Sequence, residues 1–147
     1  MAPTVLVGFD DSPAARRALD LARAASLADH GRLMVLAVLE LPVDPTAPRA
    51  FGTMGDGPPA GGPFPEPPEI TSVLDAARAR LDGSGVRAEY RWAPGDPAGL
   101  LIATAAEHDV DLVVVGAHHH GLLGRLLGGD VAAELRRHAG CEVQIVE

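Results

Sequence analysis

Four short runs rich in valine, leucine and isoleucine, and a fifth of alternating character at 86–92, are separated along this chain by longer stretches of helical period, and that arrangement leaves few architectures open. Parallel strands cannot be joined by a tight turn. They need a crossover of a dozen or more residues, usually a helix that also covers the sheet face. The runs at 4–9, 32–39, 86–92, 112–115 and 142–146 are therefore expected to form a parallel sheet packed between helices. The unbroken apolar character of 32–39 predicts a strand buried on both faces, whereas 86–92 alternates.

The helix starts share one grammar. Ser12 is placed to cap and Pro13 to occupy the first turn of a helix running to about Asp29. Ala15, Ala18, Leu19, Ala22 and Ala25 fall on one of its faces, small enough to lie close on a sheet. Asp96 and Pro97 repeat the same start, with Ala98, Leu101, Ile102 and Ala105 facing inward. Between them, Ile70, Val73, Leu74, Ala77 and Leu81 make the stripe of another helix, closed by Gly83. A short last helix is expected over 131–138, before the fifth strand.

Residues 42–68 hold nine of the thirteen prolines and five glycines, a composition that forbids a regular element. This segment reads as a surface excursion, with Phe51, Met54 and Phe64 as the side chains by which it would cover an apolar ligand. The remainder of the 147 residues suits one domain.

Charge and chemistry narrow the function. Twenty acidic residues against twelve basic ones give a net charge of −8, which disfavours nucleic acid as a partner. Every basic residue is arginine, so a Walker lysine, a Schiff-base lysine or a lysine general base is excluded. Cys141 is the only cysteine, which rules out an intrachain disulfide and a thiolate metal cage and fits a reducing compartment. The first nine residues lack the features of a signal peptide, and no apolar run approaches the roughly 20 residues of a membrane span. A cytoplasmic protein with no membrane partner is the expectation.

In open parallel sheets, ligands bind beyond the carboxyl ends of the strands, where the strand order reverses. The two connections least like plain linkers are Phe9-Asp10-Asp11-Ser12 and the glycine-rich stretch from Gly116 to Gly129. If the strands before them are neighbours, these loops meet in one cleft. Glycines there allow close approach of a ligand to the backbone, and the following helix offers N–H donors to an anion. His118, His119 and His120 are adjacent residues that cannot easily aim three imidazoles at one ion, and no metal site is expected. Histidines in such a loop would instead make anion binding pH-dependent.

Asp10-x-Ser12 after the first strand, Gly95-Asp96-Pro97-Ala98, Val113-Val114-Val115-Gly116 and the closing Cys141-Glu142-Val143-Gln144-Ile145-Val146 together resemble the universal stress protein family over nearly the whole chain. The resemblance implies a Rossmann-like α/β fold with a five-stranded parallel sheet in the order 3-2-1-4-5, helices on both faces, and a homodimer formed through the C-terminal edge strand. It also implies an adenine-nucleotide cleft, in which Gly8, Asp10, Val38 and Val115 match positions that hold base and sugar. Ser12 is counted with them, although it reads first as a helix cap.

The family's phosphate pattern is Gly-x2-Gly-x9-Gly followed by Ser or Thr. Aligned on Gly116 and Gly129, this chain has His119 for the second glycine and Asp130 for the hydroxyl residue. Val131 follows at the start of the last helix. Asp130 would cap the free amides itself and repel phosphate. Two unit charges about 4 Å apart repel by roughly 1–4 kcal/mol in partly solvated surroundings, or about ten-fold to several hundred-fold in affinity. Arg125 is the cation placed to offset this. Three readings remain open: a regulatory module with weak or lost ATP binding that takes AMP or adenosine, an ATP- or AMP-binding protein using Arg125 and backbone amides, and a ligand-free dimeric interaction protein. Enzymatic activity is not expected.

Overall fold

The computed structural model describes residues 2–40, 65–117 and 131–147. Their order is β1 (Thr4–Gly8), α1 (Pro13–Ala28), β2 (Arg32–Glu40), α2 (Pro68–Leu81), β3 (Arg87–Gly95), α3 (Pro97–Glu107), β4 (Leu112–Gly116), α4 (Val131–His138) and β5 (Glu142–Val146). The strands form one sheet in the order β3-β2-β1-β4-β5, with every neighbouring pair parallel. The excursion expected over 42–68 falls largely outside the described residues, as do Phe51, Met54 and Phe64.

Register explains the two cores. Val5 and Val7 lie opposite Leu33 and Val35 on β2, and Val7 lies opposite Val114 on β4. These residues share one face with Phe9, which continues the ladder by donating its N–H to the Leu36 carbonyl at 2.9 Å. Helices α1 and α2 cover that face through Ala15, Ala18, Leu19, Ala22, Ile70, Leu74, Ala77 and Leu81. Leu6, Met34, Leu36, Val113 and Val115 point to the other face, where Leu101 and Ala105 of α3 and Leu135 of α4 close the second core. Three positions differ from the stripes read in the sequence: Ala25, Val73 and Ile102 are only partly buried. Ser26 is fully buried, its hydroxyl donating to the Ala22 carbonyl at 2.9 Å.

Two of the boundaries that differ from the expectation involve proline. Strand β3 runs three residues beyond Trp92, pairing Pro94 with Leu39 and Gly95 with Glu40. Proline is tolerated there because β3 is an edge strand and needs no donor on its outer side. Gly95 then turns with φ 141°, a conformation open to glycine, before Asp96 caps α3 through the Gly99 N–H. Helix α2 begins at Pro68, the last residue assigned to the excursion, since proline suits a first helical position.

Helices α1 and α3 end without glycine. His30 and Asp109 take the left-handed conformation at φ 53° and 51°, and the next N–H reaches back to a helix carbonyl: Gly31 to Ser26 at 2.7 Å and Val110 to Ala105 at 3.0 Å. Gly31 has a separate reason to be glycine, because a β-carbon there would lie 2.5 Å from the Pro3 carbonyl oxygen.

Candidate functional site

The order β2-β1-β4 makes β1 the strand where the chain reverses direction across the sheet, and it makes β1 and β4 neighbours. The two connections singled out in the sequence therefore leave the sheet from adjacent carboxyl ends. The β1–α1 turn is fully described. Asp10 is exposed, and its Oδ1 accepts from the Ser12 N–H at 3.0 Å. Asp11 adopts φ 63°, and its carboxylate accepts from Arg16 Nε at 2.9 Å. That bond raises the Arg16 pKa further above its ordinary value. Ser12 is the N-cap of α1, with its hydroxyl accepting from the Ala15 N–H at 3.1 Å. The cap role read from the sequence is the one the structure displays.

Of the other candidates, Val38, Val115 and Val131 pack on or against the second core, on the α3/α4 face. Gly8 belongs with them. A β-carbon there would meet Val115 Cγ1 at 3.6 Å and Leu101 Cδ1 at 3.3 Å. Leu101, legible in the sequence only as a core-facing helix residue, thus covers the glycine at the carboxyl end of β1. Gly116 points the opposite way. A β-carbon at 116 would lie 2.6 Å from the Ala14 carbonyl carbon and 2.7 Å from the Ala15 nitrogen, so the first turn of α1 presses directly on it. The sequence offered a ligand as the reason for this glycine, and the structure supplies a packing reason. His119, Arg125, Gly129 and Asp130 lie outside the described residues, as do the flanking His118 and His120.

A shallow depression between α1 and α2 is lined by Asp11, Arg16, Ala76, Ala79 and Arg80. Its cations are engaged: Arg16 by Asp11, and Arg80 by both oxygens of Asp20 at 2.9 and 2.7 Å. The Arg80 hydrogen bonds hold the Asp20 carboxyl below its ordinary pKa. Among the described residues, no group of three or more metal-ligating side chains is assembled. Cys141 is half-buried ahead of β5, and burial pushes its thiol pKa up, away from reactivity. Trp92 packs at the rim of the first core.

The profile of the Universal stress protein family matches residues 1–147. This chain belongs to the universal stress protein family. It is 34% identical over 145 residues to a universal stress protein of Mycobacterium tuberculosis, covering 97% of this chain and 94% of the relative. A universal stress protein of Bacillus subtilis is 32% identical over a shorter stretch, 53% of each chain. Among solved structures, a universal stress protein in complex with cAMP superposes with a TM-score of 0.69 at 28% identity, covering 99% of this chain and 96% of the other. The universal stress protein UspA from Lactobacillus plantarum gives a TM-score of 0.71 at 22% identity, over 99% and 98% of the two chains, a likeness of fold. Among the described residues, no helix is long and apolar enough to cross a membrane.

Proposed function

We propose that this universal stress protein is a non-catalytic regulatory module that takes adenine nucleotides at the carboxyl ends of β1 and β4, and that it favours ligands with little phosphate charge over ATP. The adjacency of β1 and β4 carries the proposal, because it sets the Asp10 turn beside the end of β4, with Val38 and Val115 on one face nearby. The cAMP complex of a 28% identical family member supports an adenine ligand.

The preference follows from residues 119 and 130. His119 stands where the family pattern has a glycine, and Asp130 stands where it has a hydroxyl residue. A cyclic monophosphate brings a single negative charge toward Asp130, while ATP brings several. Each unit charge about 4 Å away would cost roughly 1–4 kcal/mol. Absence of lysine from the sequence argues against phosphoryl-transfer chemistry of the P-loop kind. Among the described residues, strand β5 pairs only with β4, so its outer edge is available to a second copy, which supports a homodimer.

Calorimetric titration of the full chain with cAMP, AMP, adenosine and ATP tests the proposal, with sedimentation of the same samples for the dimer. cAMP or AMP should bind at least about ten-fold more tightly than ATP. Combining Asp130→Ser with His119→Gly should restore ATP affinity. ATP binding as tight as that of the monophosphates in the unaltered chain, or no adenine ligand bound at all, would refute it.

A further inference from the structure

The turn between β1 and α1 depends on a backbone conformation that most residues resist. Asp11 sits in the left-handed region at φ 63°, where a side chain costs backbone energy, and aspartate and asparagine tolerate it best. Its neighbours make the two bonds that shape the turn. The Ser12 N–H donates to Asp10 Oδ1 at 3.0 Å, and the Ala15 N–H donates to Ser12 Oγ at 3.1 Å. The direction of the Ser12 N–H is set by the dihedrals of Asp11, so the left-handed conformation of Asp11 aims that N–H at the Asp10 carboxylate. Arg16, in the first turn of α1, holds the Asp11 carboxylate at 2.9 Å.

We propose that Asp11 and Arg16 are positioning residues for Asp10: their ion pair keeps Asp11 left-handed, which aims the Ser12 amide at the Asp10 carboxylate and presents that carboxylate to the nucleoside in one orientation. The ligand half of this proposal rests on the adenine cleft; the turn half does not. The pair is 45% and 36% exposed, so it contributes little to global stability. Its loss should therefore register in the turn and at the ligand rather than in the fold.

The test uses the full chain and the variants Arg16→Met, Asp11→Ala and Asp11→Asn. Amide hydrogen exchange is read by NMR, and cAMP affinity by titration. Arg16→Met and Asp11→Ala should speed exchange at Ser12 by about three- to ten-fold and weaken cAMP binding by a similar factor. The amides of Val7 and Val35 in the sheet should not change. Asp11→Asn should restore both readouts, since asparagine accepts the left-handed conformation and still offers Arg16 an oxygen. Unchanged Ser12 exchange in Arg16→Met and Asp11→Ala would overturn the proposal, as would acceleration spread equally over Val7 and Val35. Failure of the unaltered chain to bind any adenine nucleotide would remove the cleft assignment, leaving Ser12 exchange to decide the latch by itself.

Discussion

Gly116→Ala should destabilise the protein in the absence of any ligand, because the space for a side chain at 116 is already filled by backbone. The added β-carbon would lie 2.6 Å from the Ala14 carbonyl carbon, 2.7 Å from the Ala15 nitrogen and 2.9 Å from Ala14 Cβ, whereas ordinary contact begins at 3.4 Å. Relief needs a displacement of roughly 0.8 Å, and backbone gives way less readily than a flexible side-chain end. Moving the first turn of α1 that far also strains the bond from the Ala15 N–H to Ser12 Oγ, now 3.1 Å. Overpacking of this kind costs about 1–3 kcal/mol, and a lost N-cap about 1 kcal/mol. The expected loss is about 2–4 kcal/mol, or on the order of 6–13 °C in Tm for a chain of this length. Urea unfolding followed by the single tryptophan, Trp92, together with helical circular dichroism, measures it directly. Gly140→Ala is the control, since among the described residues no atom lies within 4 Å of where its β-carbon would stand, and the change should be nearly neutral. A loss below about 0.5 kcal/mol for Gly116→Ala would refute the packing reason and return this glycine to a role at the ligand.

Asp109→Gly should stabilise the chain by about 0.5–1.5 kcal/mol, since it relieves a left-handed non-glycine residue and removes a negative charge at the C-terminal end of α3; an unchanged or lowered urea midpoint would contradict this. The Arg80 fork depresses the Asp20 pKa, so its contribution is present above the unfolded carboxylate value near pH 4 and is lost as pH falls through the lower folded value. Asp20→Asn should accordingly flatten the loss of stability below about pH 4, by less than about 1 kcal/mol given that both partners are more than a third exposed. Parallel stability–pH curves for the two proteins would count against that pair.

Much of the architecture is local information. The apolar runs, the Ser12-Pro13 and Asp96-Pro97 starts and the stripe at Ile70, Leu74, Ala77 and Leu81 each depend on period and on the chemistry of a few adjacent residues, and each forms the element expected of it, with Val73 of the expected stripe only partly buried. The reading that ended β3 at Trp92 stopped short of Pro94, and a proline fits in the strand there because the sheet order makes β3 an edge. At the site, Ser12 could be read as a cap because capping is a three-residue affair. Leu101 over Gly8 could not, because the two residues are 93 positions apart and meet only when α3 lies on the sheet.

By itself, then, the chain's sequence determined its element types, the parallel character of its sheet, the absence of lysine chemistry and the two departures at His119 and Asp130. Tertiary structure alone decided that Gly116 faces α1 while Gly8 faces α3, and showed that Asp11 is left-handed in the turn between β1 and α1. Period and capping act between near neighbours, whereas a collision between a strand end and a helix backbone exists only after distant segments have packed.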